Sequence, residues 1–283
     1  MARRAAFIDS LQAEQTPLLL LEGGSFFSRI VSDARFENIT SWLEMERLGY
    51  AAVTLGEREF IEWTLAESLL TSRDLPVVCS NVERLVGDDW VPVGSRYQIA
   101  EVNGVRFGIM SVITGDHITD RVIDSAGGRI RVLPPMETTR EVAALLRQKA
   151  DVVVLLGYLN SPLLEEYAAT FEDVDVIVGG HMTRNKKKPY LVGSTIVNLS
   201  GTRGQHIGVT QLTITPKNEL VKIDGENVTF TKDYPENPAV AKIAQNAKDE
   251  TRRLRKERNL RRRQAAQAER AKRKGAATRL KQD

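Results

Sequence analysis

Apolar residues in this chain gather in short dense runs. Residues 17–21, 51–55, 152–156 and 176–178 are almost continuously aliphatic, the pattern of strands buried on both faces. Each run gives way to glycine and a brief polar stretch: Glu22-Gly23-Gly24, Gly56-Glu57-Arg58-Glu59, Gly157-Tyr158 and Gly179-Gly180-His181. In open α/β sheets the working residues sit in loops at the carboxyl ends of strands. The four strand ends therefore mark an expected active-site face.

Helical periodicity fills much of the space between the runs. Residues 3–14 place Ala5, Phe7, Ile8 and Leu11 on one side, and residues 39–48 follow the start signal Asn38-Ile39-Thr40. Further helices are expected over 59–72, 137–149 and 162–170. Residues 77–79 read as a short strand closed by Ser80-Asn81. Asn103-Gly104 signals a type I′ turn joining strands 97–101 and 106–112 into a hairpin. Residues 113–134 read as a loop-rich connection, 190–213 as antiparallel strands, and 219–231 as one more β pair. Strand–helix units with inserted hairpins predict an α/β fold with a mixed sheet or two stacked sheets and helices outside. No internal repeat is visible.

Composition adds three constraints. At 283 residues and 42% hydrophobic, the chain can bury a substantial core. Its single cysteine, Cys79, rules out an intramolecular disulfide framework and reads as a small buried hydrophobe. The formal net charge of +3 conceals an asymmetry: from Lys242 onward there are 16 Lys and Arg against 5 Asp and Glu, so that segment carries +11 and the remainder −8. No run approaches a membrane helix in length, and Met1-Ala2-Arg3-Arg4 is not followed by an apolar stretch of signal-peptide length. As written, the chain is expected to be soluble and cytoplasmic.

Several strings resemble the calcineurin-like metallophosphoesterases, specifically the 5′-nucleotidase branch. They are Leu18-Leu19-Leu20-Leu21-Glu22-Gly23-Gly24-Ser25-Phe26-Phe27, the stretch Leu48 to Phe60 around Gly56-Glu57-Arg58-Glu59, and Asp175-Val176-Ile177-Val178-Gly179-Gly180-His181. Asn198-Leu199-Ser200-Gly201 ahead of Gly204 and Gly208 fits the family's closing β region. The resemblance implies a metallophosphoesterase-like two-sheet β-sandwich core flanked by helices, an αββα arrangement, over residues 1–232. A basic helical or disordered tail, 233–283, follows. It also implies that the family's first strand is missing, which leaves the apolar run 18–21 with an unpaired edge unless the natural start lies upstream of Met1 or another segment or a partner covers it.

The resemblance carries an expectation about chemistry. The family uses two cations about 3.5–4 Å apart to activate a water and clamp phosphoryl oxygens, with ligands drawn from five loops. The Asp-x-His of the first strand has no counterpart here. The bridging aspartate of Gly-Asp is Gly24, and Gly-Asn-His-Glu reads Gly56-Glu57-Arg58-Glu59. The histidine after strand 152–156 is Tyr158. In the final Gly-His-x-His, His181 remains and Thr183 replaces the second histidine. A lone imidazole does not hold a site that needs about three or four protein ligands, and Arg58 would place a fixed cation near the metals. The family's C-terminal substrate domain, with its aromatic pair for the nucleobase, is replaced by the tail. The expectation is a catalytically inactive relative retained for binding or assembly, with no cofactor.

Two alternatives remain open. The first is a phosphomonoester hydrolase whose rearranged site draws on Glu22, Glu57, Glu59 and His181 and holds manganese, zinc or iron. Against it, these glutamates read as solvated or helix-capping residues and His181 as a hydrogen-bonded loop histidine. The second is a polyanion- or protein-binding module in which residues 240–283 meet nucleic acid, an anionic membrane surface or an acidic protein. Against it, the tail reads as a solubilising extension that is solvated rather than packed. Arg58 is a candidate anion ligand or the partner of Glu57 or Glu22. Lys186, Lys187 and Lys188 are candidate anion-binding residues or plain solvated charge. Gly23-Gly24-Ser25 reads as a tight turn rather than a phosphate cradle. Sequons at Asn38, Asn198 and Asn227 carry no meaning without secretion.

Overall fold

The computed structural model describes residues 1–28, 34–181, 184–215 and 220–279, with side chains described as far as residue 267, Lys222 apart. The chain runs α1 (Ala2–Ala13), β1 (Leu21–Glu22), α2 (Arg35–Leu48), β2 (Ala52–Val53), α3 (Glu57–Ile61), α4 (Trp63–Ser72), β3 (Val82–Val86) and β4 (Asp89–Pro92). It continues through β5 (Gln98–Val102), β6 (Val105–Ile113), α5 (Asp120–Ser125), β7 (Ile130–Val132), α6 (Pro135–Arg147), β8 (Val152–Tyr158), α7 (Ser161–Thr170) and β9 (Val176–Gly179). It closes with β10 (Tyr190–Val192), β11 (Thr195–Leu199), β12 (His206–Ile207), β13 (Gln211–Ile214), β14 (Leu220–Asp224), β15 (Val228–Thr229) and α8 (Pro238–Arg279).

The largest sheet has the order β10-β11-β9-β8-β6-β5, with β11, β9, β8 and β6 mutually parallel. On one face Val153, Leu155 and Ile177 meet Leu146 of α6 and Leu164 and Tyr167 of α7. On the other, Val152, Val154, Leu156 and Val176 share a second apolar layer with Ala52, Val78, Leu21 and Leu212. Beyond that layer lie β1 and β2, paired in parallel at Leu21↔Ala52 and Glu22↔Val53. A third core of Ile8, Trp42, Met45, Phe60 and Trp63 packs the helices α1, α2, α3 and α4 behind them. The order of layers is thus helix, sheet, sheet, helix, as the resemblance implied.

The two small sheets between the outer layers have open sides. β1 pairs with β2 alone and β13 with β14 alone, so each is an edge strand among the described residues. Leu19 and Leu21 on one side and Leu212 and Ile214 on the other line a cleft of about 2430 Å³. The apolar run that begins at residue 17 is regular strand only at Leu21–Glu22.

Four local expectations change. Residues 113–134 are not loop alone but contain α5 and β7, and a hairpin of β3 and β4 precedes them. Residues 219–231 do not form a pair with each other: β14 joins β13, and β15 joins β12. Gly157 and Tyr158 belong to β8, because parallel pairing with β6 continues to Ile113↔Tyr158. The tail is also packed in part. Val240, Ala247 and Thr251 of α8 are buried, and Asn237 anchors the helix start to the Ala2 carbonyl and the Asp9 carboxylate. By contrast, Asn103 and Gly104 take the positive φ values, 52° and 79°, that their turn demands.

Candidate functional site

The ends of β1, β2, β8 and β9 meet on one face. Gly23 and Gly180 make this meeting possible, since a Cβ on Gly180 would lie 1.9 Å from the Gly23 carbonyl oxygen. Only a residue without a side chain lets two strand ends approach so closely.

At the centre stands Tyr158, 2% exposed. Its hydroxyl lies 2.5 Å from the Ser25 hydroxyl, and burial pushes the phenol up to about 12. Its ring covers two glycines. A Cβ on Gly56 would stand 2.4 Å from the Tyr158 ring, and one on Gly24 would stand 3.2 Å from it. Gly24 also has φ of +92°. Tyrosine therefore fills the volume beside position 24, where the resemblance places a bridging carboxylate.

Glu59 is completely buried. Its carboxylate accepts from the backbone N–H of Ser25 at 2.9 Å, Phe27 at 2.7 Å and Gly56 at 2.8 Å. The bond from Gly56 caps the start of α3; the other two fix the loop after β1. Burial nevertheless raises the carboxyl to about 7, against those hydrogen bonds. Arg58 completes the brace by donating to the carbonyls of Ser25 at 3.2 Å and Phe27 at 3.1 Å. Its partners are carbonyls rather than Glu57 or Glu22. Glu22 instead pairs with Arg4 at 3.2 Å.

His181 follows β9, half-buried at the cleft wall, and packs against two rings. Its ring centre is 3.9 Å from that of His117 and 4.6 Å from that of Tyr158. Burial, then the neighbouring His117 and Arg58, depress His181 to about 4. Burial also lowers His117. Both shifts favour the neutral imidazole, and the two rings lie against each other tilted by 46°.

The predicted site residues therefore divide. Gly24, Tyr158, Arg58, Glu59 and His181 come together, with Ser25 and His117 as members that the sequence did not single out. Glu57, half-buried, begins α3 at the same place. The carboxylates of Glu22 and Glu59 are held by other partners and do not converge on His181. Thr183 lies outside the described residues. Lys186, Lys187 and Lys188 are exposed; Lys188 lines the cleft, and Asn227 holds the loop by bonding to the carbonyls of Lys186 and Lys187. The three sequon asparagines, Asn38, Asn198 and Asn227, are all buried and so are poor glycan acceptors. Cys79 is buried as expected, its thiol pushed up to about 11 by burial.

The residues present do not fit a pair of divalent cations. Among the described residues no group of three or more His, Cys, Asp or Glu is placed to hold a metal ion. The volume next to Gly24 contains a phenol ring, and the Glu59 carboxylate accepts from three backbone amides.

No family model matches the chain. It is 26% identical over 265 residues to a 5′-nucleotidase of Diplobatis ommata, covering 85% of this chain and 45% of that protein. The crystal structure of the 5′-nucleotidase precursor from Thermus thermophilus superposes with a TM-score of 0.73 at 23% identity, over 87% of this chain and 52% of that one. The calcineurin-like phosphoesterase YfkN from Bacillus subtilis superposes with a TM-score of 0.70 at 18% identity, over 90% of both chains. This chain thus spans less than half the length of the Diplobatis relative. The likeness bears out the fold and the resemblance to the 5′-nucleotidase branch.

Proposed function

From a chain similar in sequence and fold to the calcineurin-like phosphoesterases of the 5′-nucleotidase branch, we propose a protein that no longer hydrolyses phosphoesters and keeps the fold for binding or assembly. The observation that carries this reading is the position of Tyr158. Its ring occupies the space beside Gly24 and Gly56 that a bridging carboxylate and its cations would need. Two divalent cations at about 3.5–4 Å repel each other strongly unless an anion lies between them. Here the loop ends are tied together by Tyr158 with Ser25 and by Glu59 with three backbone amides. At the strand ends Tyr158 and Glu59 are packed, while Ser25, Glu57, Arg58 and His181 are half-buried and line the cleft. The test is turnover of p-nitrophenyl phosphate and of nucleoside monophosphates with manganese, zinc or iron supplied. No metal-dependent turnover is expected. Turnover that vanishes in His181→Ala would overturn the reading.

A second reading, a rearranged mononuclear hydrolase, has one observation in its favour: His117 and His181 lie side by side, with ring centres 3.9 Å apart. Two imidazoles fall short of the donor set that metal sites typically use. The same assay on His117→Ala separates the two readings, since only the hydrolase loses activity.

A further inference from the structure

We infer that the outer part of α8 is a binding surface for duplex nucleic acid, engaging the phosphate backbone without reading sequence. This surface is separate from the face around Tyr158 and does not depend on how that face is interpreted.

The helix divides at Arg258. Up to that residue it is anchored, with Val240, Ala247 and Thr251 buried and Leu254, Arg255, Glu257 and Arg258 half-buried. Beyond it, residues 259–267 are all exposed. Between residues 252 and 263 the sequence holds eight Arg and Lys and one acidic residue, Glu257. Arg252 and Arg253 are tied to Asp249, Glu250 and Glu257 along the helix. Lys256, Arg261, Arg262 and Arg263 are directed to solvent. At about 1.5 Å per residue this segment is roughly 18 Å long, a dense rod of positive charge.

Three features select the partner. First, the exposed cations Lys256, Arg261, Arg262 and Arg263 point in several directions around the helix, because successive side chains turn by about 100°. A flat anionic surface would meet only one side of such a rod. A groove with a phosphate wall on each side meets both, and the B-form major groove, about 12 Å wide, admits an α-helix. Second, Leu254 and Leu260 are six steps apart and face different directions, so there is no apolar stripe to enter a membrane interface. Third, α8 has no aromatic residue, which removes the stacking platform that single strands use. Binding through phosphates alone is weak and strongly dependent on salt.

The test is fluorescence anisotropy of a labelled 24-base-pair duplex titrated with the full chain. A Kd on the order of 10⁻⁶ to 10⁻⁴ M near physiological salt is expected, the same for unrelated sequences. The logarithm of the binding constant should fall linearly with the logarithm of salt, with a slope corresponding to about 4–6 phosphates. The triple variant Arg261→Glu/Arg262→Glu/Arg263→Glu should weaken binding by about tenfold or more. Its circular dichroism and melting temperature should match the parent, because these residues are exposed. The inference is overturned if the duplex does not bind, if the triple variant binds equally well, or if polyglutamate or anionic phosphatidylserine vesicles compete as effectively as unlabelled duplex.

Discussion

The phenol oxygen of Tyr158 lies 2.5 Å from the hydroxyl oxygen of Ser25, joining the end of β8 to the loop after β1. The contact crosses the place where the fold's relatives are expected to hold metal. Phenylalanine would keep the ring and leave the Ser25 hydroxyl without this partner. Tyr158→Phe should therefore cost about 1 kcal/mol. Tyr158→Ala, which opens a cavity against Gly24 and Gly56, should cost about 3–5 kcal/mol. Urea unfolding of both variants checks the difference, and a loss below about 1 kcal/mol for alanine would show that the ring is not packed as described.

Restoring the family carboxylate alone should not restore a site. Gly24→Asp forces a side chain onto a residue with φ of +92° and brings its Cβ within 3.2 Å of the Tyr158 ring. A loss of about 1–3 kcal/mol is expected. Combining it with Tyr158→Ala removes the ring that this Cβ meets, so the two changes should couple by about 0.5–3 kcal/mol rather than add. A double-mutant cycle by thermal unfolding measures this.

The pH dependence of stability should carry the signature of Glu59. Its carboxyl is raised from 4.5 to about 7 by burial, so the folded state binds the proton more tightly than the unfolded chain. That contribution is fully present below about pH 4.5 and is lost as pH rises through about 7. It amounts to at most about 3 kcal/mol. Glu59→Gln removes the titration and should flatten the stability profile between about pH 5 and 7.5. An unchanged slope in the variant would assign the effect elsewhere.

The loop 184–188 should depend on Asn227. Its amide nitrogen donates to the Lys186 carbonyl at 2.6 Å and the Leu199 carbonyl at 3.1 Å, while its oxygen accepts from the Val209 amide at 3.1 Å. Asn227→Ala removes these bonds, leaving the Leu199 carbonyl only its bond from the Lys186 amide, and should cost about 2–3 kcal/mol. Trypsin should then cut near Lys186, Lys187 and Lys188 much faster than in the parent, at a rate read by mass spectrometry.

Much of the fold could be read from local pattern. Three of the four apolar runs became buried strands because a doubly buried strand needs aliphatic residues throughout, whereas the run 17–21 is at most half-buried along the cleft, and Asn103-Gly104 dictated its own turn. The fate of Gly24, Arg58 and Tyr158 was less visible. Their replacement of expected ligands was apparent, but not that the Tyr158 ring would lie over two glycines. That relationship joins residues more than a hundred positions apart and has no local signature. His117 lay in a segment read as loop, and only tertiary packing brings it to His181. Glu59 was open to a metal, solvent or capping role, and three backbone amides decided in favour of the cap. Val240, Ala247 and Thr251 are spaced for one helical face, but Val and Ala among so many charged residues gave too faint a stripe to predict packing.

The central claim is that the Tyr158 ring fills the volume beside Gly24 and Gly56 and that the strand-end face holds no dinuclear centre. The most direct measurement is metal stoichiometry by elemental mass spectrometry, after the full chain is incubated with manganese, zinc and iron and desalted. The account predicts well below one ion per chain, unchanged in His181→Ala. One or two ions per chain, lost in His181→Ala, would contradict it.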